Sequence, residues 1–152
     1  MPQTVPLEPN SYEWIVNVNS AKCLNVAGAS KADRAPVIQF TCQTTYLNDR
    51  WFTVPDGTGY WWIVNANSGL CLNVAGASFA DSAAVVQFTC QTTYLNDRWY
   101  SLPDGNGYWW IVNANSGKCL NVTGASTADT AAIIQFTCQT TYLNDRWVGR
   151  SS

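Results

Sequence analysis

The stretch QFTCQTTYLNDRW occupies residues 39–51 and returns without a change at 87–99 and 135–147, so each copy lies 48 residues after the last. Working outward, the repeat is longer than these residues. Between 60–99 and 108–147, 34 of 40 positions are identical, and two of the six changes are Val85 to Ile133 and Val86 to Ile134. The first copy, from Tyr12, diverges more, with Glu13 where Trp61 and Trp109 stand and Ala21 where Gly69 and Gly117 stand. Three units therefore fill one domain over 12–152, at about 12–59, 60–107 and 108–152. Residues 1–11, MPQTVPLEPNS, read as a start methionine and a Pro-rich tail or linker, without the pattern of a signal peptide, as expected of a mature or excised chain.

Each unit carries one pair of cysteines nineteen residues apart: Cys23 and Cys42, Cys71 and Cys90, Cys119 and Cys138. Six cysteines allow about fifteen pairings, and threefold repetition makes the three local ones the simplest. Zinc is disfavoured by the lack of a Cys-x-x-Cys spacing and of any histidine. Three disulfides point to an oxidising compartment, hence a secreted protein. Charge excludes other classes. Only 12% of the residues are charged and the net charge is −2, so no basic face exists to meet nucleic acid. No apolar run reaches the ~20 residues of a membrane helix, so membrane insertion is not expected. No cofactor is implied.

Inside a unit, short β-branched apolar runs alternate with Gly, Asn, Asp and Pro. Strands are predicted at about 14–18, 22–26, 36–42 and 50–54, joined by NSA or NSG, AGASKADRA, QTTYLND and PDGTG. Three units of four strands make twelve. A propeller needs four or more blades. Three copies that close on themselves predict an all-β fold, a β-trefoil with pseudo-threefold symmetry: a six-stranded barrel capped by three hairpins. Asp33, Asp81 and Asp129 are expected to shape the turns they sit in.

CLNVAGAS at 23–30, VIQFTC at 37–42 and NDRW at 48–51 together resemble the repeat of ricin-B-type lectins, and most of all the bacterial carbohydrate-binding modules of that fold carried by secreted glycoside hydrolases. The resemblance covers all three units, essentially 12–148. It implies a β-trefoil, local disulfides and up to three sugar sites. The aromatic two positions before the second cysteine stacks on the sugar in that family; here it is Phe40, Phe88 and Phe136. The family's Asn before the closing motif contacts a hydroxyl and corresponds to Asn48, Asn96 and Asn144. Its sugar-binding Asp is replaced by Asn25, Asn73 and Asn121, and the Gln that braces that Asp by Asp49, Asp97 and Asp145. An Asp–Gln pair has become Asn–Asp, so their mutual hydrogen bond is expected to survive with donor and acceptor exchanged. Trp51, Trp99 and Trp147 match a core tryptophan.

These residue types suit a pyranose, which has a C–H face for an aromatic ring and a rim of hydroxyls for planar amides and carboxylates. Each also has a plainer reading. Phe40 shares a strand face with Ile38 and could pack in the core. Asn48 and Asp49 could shape a turn, and Arg50 could pair with Asp49. Tyr46, Tyr94 and Tyr142 are secondary candidates as loop aromatics flanking a sugar, while Trp61 and Trp109 are expected at the barrel base. Asn121-Val122-Thr123 is an N-glycosylation sequon found only in the third copy, expected to be incidental. The expected partners are glycans, with a glycoside hydrolase domain in a longer parent chain as a further implication of the resemblance. An enzyme is disfavoured because the repeated acids stand isolated in sequence. A symmetric trefoil scaffold or protein-interaction domain without sugar binding is the alternative.

Overall fold

The computed structural model describes residues 11–151, so the tail predicted at 1–11 lies, apart from Ser11, outside the described residues. The first copy contributes β1 (Glu13–Asn17), β2 (Cys23–Val26), β3 (Val37–Phe40) and β4 (Trp51–Pro55). The second contributes β5 (Trp61–Asn65), β6 (Cys71–Val74), β7 (Val85–Phe88) and β8 (Trp99–Pro103). The third contributes β9 (Trp109–Asn113), β10 (Cys119–Val122), β11 (Ile133–Phe136) and β12 (Trp147–Ser151). All pairings are antiparallel. β4 pairs with β5, β8 with β9 and β12 with β1; single-pair contacts β1–β4, β5–β8 and β9–β12 close these hairpins into a ring of six. The hairpins β2–β3, β6–β7 and β10–β11 form the cap and touch one another through bridges Pro36–Val86, Ile38–Ala132 and Ala84–Ile134. This is the β-trefoil, with twelve strands and threefold repetition.

The cap strands β2 and β3 are shorter than the sequence suggests and β1 and β4 are displaced by one residue, for identifiable reasons. β1 stops at Asn17 because its side-chain Oδ1 accepts the backbone N–H groups of Asn19 and Ser20, at 3.1 and 3.2 Å, turning the chain. β3 stops at Phe40 because the next backbone N–H, on Thr41, is donated to the Asp129 carboxylate at 2.7 Å. After β2 the chain makes one tight turn, Ala27–Ala29, in which Gly28 has φ +64° and the following Ala29 is also left-handed, at φ +52°.

The core repeats by copy. Ile15, Leu24, Val26, Val37 and Trp51, with their counterparts, are almost wholly buried. Each tryptophan donates its indole N–H to a cap-strand carbonyl: Trp51 to Leu24, Trp99 to Leu72, Trp147 to Leu120, at 2.9, 3.0 and 3.0 Å. A buried indole needs such a partner, so one residue fills the barrel and fastens the cap to it. Disulfides Cys23–Cys42, Cys71–Cys90 and Cys119–Cys138 pair as the repeat implies. Loop closure of that length is worth about 3 kcal/mol each in the chain-entropy model. Trp109 packs against the edge of the core, and Glu13, in the corresponding position of the first copy, is 4% exposed.

Copies also grip one another. Gln39 is fully buried; its Oε1 accepts the Ser20 hydroxyl at 2.7 Å and its Nε2 donates to the carbonyls of Ser126 and Ala128 in the third copy. Gln87 and Gln135 repeat this around the ring. Asp33, expected to shape its own turn, instead reaches the second copy, accepting the backbone N–H of Thr89 at 2.7 Å and its hydroxyl at 2.9 Å. Asp81 holds Thr137 and Asp129 holds Thr41 in the same way.

Candidate functional site

Within β3, Val37 and Gln39 point inward, so Ile38 and Phe40 face out. Phe40 and Phe136 are 36% and 38% exposed and Phe88 is half-buried, which removes all three from the core. Directly across the hairpin, Asn25 pairs with Ile38, placing its amide beside the aromatic. The QTTYLND loop forms the far wall. Gln43 folds it by donating Nε2 to the Tyr46 carbonyl at 2.9 Å and accepting the Tyr46 N–H at 2.8 Å. Tyr46, Tyr94 and Tyr142 consequently stand out from the surface, 63%, 64% and 64% exposed. The result is a shallow depression lined by Asn25, Gly28, Phe40, Gln43, Tyr46 and Asn48 in the first copy. Asn73, Gly76, Phe88, Gln91, Tyr94 and Asn96 line its equivalent in the second. The third copy repeats the strand register and the loop hydrogen bonds around Asn121, Phe136, Tyr142 and Asn144.

The amide network is specific. Asn48 donates Nδ2 to the Val26 carbonyl at 3.0 Å and to Oδ1 of Asn25 at 3.3 Å. Asn96 and Asn144 do the same to Asn73 and Asn121, at 3.3 and 3.2 Å. With its oxygen held, the Asn25 amide nitrogen has no protein partner among the described residues and supplies donors to the depression.

Here the expected Asn25–Asp49 bond is corrected. Asp49 is fully buried, and its carboxylate turns the other way, accepting the Gln43 backbone N–H at 3.0 Å and lying 3.2 Å from Nε of Arg50. Asp97 and Asp145 behave alike, with Arg98 and Arg146 at 3.0 and 3.1 Å. A side chain with no exposed surface cannot touch a sugar, so these three aspartates brace the loop and Asn48 is the residue that orients Asn25. Burial pushes the carboxyls of Asp49, Asp97 and Asp145 up, against the downward pull of the backbone N–H and the arginine. Each arginine stacks on a tryptophan, Trp14, Trp62 or Trp110, with 4.6, 4.5 and 4.4 Å to the ring centroid, and donates Nη2 to the carbonyl of Gln43, Gln91 or Gln139 at 2.7 Å. Arg98 and Arg146 gain a second carboxylate, Asp56 and Asp104, at 3.0 and 2.9 Å. Hydrogen bonds from neighbouring N–H groups, and for Asp56 the Thr58 hydroxyl, outweigh desolvation and hold those two carboxyls below the usual range.

Two lining positions escaped the sequence reading. Gln43, Gln91 and Gln139 were passed over as loop residues; their place three before an exposed tyrosine in an invariant loop was the available signal. The other is position 34, 82 or 130, which comes from the preceding copy: Thr130 borders the first depression and Arg34 the second. The sequon asparagine, Asn121, is 5% exposed and accepts from Asn144, so it is poorly placed to receive a glycan.

The model of the ricin-type beta-trefoil lectin domain-like family matches residues 4–88, 48–136 and 95–151, which together cover nearly the whole chain. The chain belongs to this family. Comparison with curated protein sequences gives no match. Among solved structures, this lectin-family domain is similar to ThreeFoil, a designed 3-fold symmetric protein, at 35% identity and TM-score 0.86, covering 93% of this chain and 99% of that one. It is also similar to 1,3Gal43A, an exo-beta-1,3-galactanase from Clostridium thermocellum, at 30% identity and TM-score 0.87, covering 97% of this chain but only 31% of the galactanase. The Macrolepiota procera ricin B-like lectin, solved with lactose, shares the fold at 17% identity and TM-score 0.81, covering 97% and 99% of the two chains.

Proposed function

We propose that this domain is a secreted, non-catalytic, multivalent lectin in which each copy offers one shallow site to a pyranose. The observation that carries this reading is the depression itself: an outward phenylalanine faces an outward tyrosine, with a partner-free amide donor and an oriented Asn between them. The ring of Phe40 suits the sugar's C–H face, and the amides of Asn25 and Gln43 suit its hydroxyl rim. Galactosides are the ligand class we propose, because a galactanase carries a domain 30% identical to this one. The repeated aspartates support a non-catalytic role, since Asp49 is fully buried against Arg50 and Asp33 is engaged by Thr89. The three disulfides point to an oxidising, extracellular setting.

Open sites of this kind bind single sugars weakly, and three on one rigid scaffold gain by effective concentration on a polymer or a glycan-coated surface. Titration with galactose and lactose, followed by NMR, is expected to move resonances of Phe40, Phe88 and Phe136 and their neighbours. A titration and a glycan array both blank at millimolar sugar would sink the reading and leave the symmetric scaffold.

A further inference from the structure

The three depressions are not equivalent: position 38, 86 or 134 is Ile, Val or Ile within the copies, and the change of chemistry is supplied from outside each copy. Residues Arg34, Ser82 and Thr130 share a left-handed backbone, with φ 72°, 71° and 72°. Each donates its backbone N–H to a buried-glutamine carbonyl of the next copy, Gln87, Gln135 or Gln39, at 2.8 Å. These contacts pin the same Cα position to the rim of the neighbouring site three times over, while the side chain changes. The first site receives a threonine, the third a serine and the second an arginine.

Arg34 differs from the arginines beneath the sites. Arg50, Arg98 and Arg146 are buried and ion-paired, whereas Arg34 is exposed and makes no salt bridge among the described residues. Its guanidinium lies over the Phe88 ring, 5.3 Å from the centroid. The preceding Asp33 accepts from Thr89 and forms no salt bridge with Arg34 among the described residues. The depression on which it borders measures about 350 Å³, against about 780 Å³ for the first copy.

We infer that the second site takes an acidic sugar, a pyranose carrying a carboxylate or a sulfate, whose anionic oxygens pair with Arg34. This rests on the sugar-binding reading above and adds a ligand class to one of its sites. Arg34 brings a planar fork of donors that matches a carboxylate or sulfate with two parallel hydrogen bonds, and such charge-assisted bonds exceed a surface cation–π contact in strength. The guanidinium therefore leaves the ring for the anion, and Phe88 is uncovered for the sugar face in the same movement.

The test is a site-resolved NMR titration of the full chain and of Arg34→Thr, the residue of the first site, with galactose, a terminal glucuronoside and a sulfated galactose. At low salt, the second site of the full chain should prefer both acidic sugars over galactose by roughly tenfold, the size expected of a charged hydrogen bond. The preference should fade as salt screens the exposed pair and vanish in Arg34→Thr. Thr130→Arg should create it at the first site. The ratio of glucuronoside to sulfate affinity tells which anion is the better fit. If Arg34→Thr leaves acidic-sugar binding unchanged, or raises galactose binding at the second site without loss of the acidic sugars, Arg34 is a lid on Phe88 and the inference is overturned. Galactose binding at the first and third sites would then still stand, so failure here is distinct from failure of the lectin reading.

Discussion

Two loops border every depression, and they differ in kind. QTTYLND is identical in the three copies and is welded to the scaffold by a buried aspartate, an arginine stacked on tryptophan and a glutamine clasp. The other loop reads KADR, FADS or TADT, and only its Ala and Asp repeat. Its aspartate fastens to the next copy and its flanking side chains are exposed. One loop therefore walls the depression and the other varies at its rim. The invariant loop holds both buried braces and the outward tyrosine, while the variable side chains of the other loop are all exposed at the rim.

This contrast can be broken by mutation, beginning at the scaffold. Trp99→Ala removes a fully buried indole and its bond to Leu72, and should cost about 3–5 kcal/mol, measured by urea denaturation. A loss under about 1 kcal/mol would mean that the invariant stretch is not what holds the barrel. Next in size is Asn96→Ala, which strands the Val74 carbonyl and frees Asn73. A loss of about 1–3 kcal/mol is expected together with loss of sugar binding at the second site, so binding and stability should move together here.

A smaller effect is expected from pH. The folded carboxyls of Asp49, Asp97 and Asp145 lie above their unfolded values, so the stability they give is present below the ordinary carboxylate pKa and drains as pH rises through the folded one. Asp56 and Asp104 lie below, so theirs is present above the ordinary pKa and is lost as pH falls through the folded one. The Asp56→Asn, Asp104→Asn double variant should therefore show a lower Tm than the parent near neutrality, and the gap should narrow on acidification. A gap that widens in acid contradicts this assignment. The smallest effect belongs to the variable loop. Lys31→Phe with Arg34→Ser, which gives the first copy the loop of the second, should change stability by no more than about 0.5 kcal/mol. A larger cost would make that loop part of the scaffold.

Much of this was legible in the sequence, and the limits have physical causes. The threefold period, the alternation of short β-branched runs and the nineteen-residue cysteine spacing are local patterns, and they led to twelve strands, the trefoil and the disulfides. The placing of Phe40 outward was resolved only by family position, because Ile38 and Phe40 share a face in either reading. Asp49 was misread because sequence shows that a carboxylate stands beside a turn but not which way the turn aims it. Its own neighbour Arg50 and the Gln43 N–H claim it, and the Asn48 amide, aimed the other way, reaches Asn25. Arg34 was invisible as a lining residue for another reason: it lies 54 residues before Phe88, and only the packing of neighbouring cap hairpins brings the two together.

The closing of the six-stranded ring has one more consequence. β12 lies against β1 through five matched pairs, from Trp147 opposite Asn17 to Ser151 opposite Glu13, and β4 lies against β5 through the same five-pair ladder, from Trp51 opposite Asn65 to Pro55 opposite Trp61. The second ladder is joined by a short Asp-Gly-Thr-Gly turn, while the first has no such turn between Ser151 and Glu13. A circular permutant of residues 12–151, joined there by Asp-Gly-Thr-Gly and opened at Gly105, should refold to the same three-lobed ring.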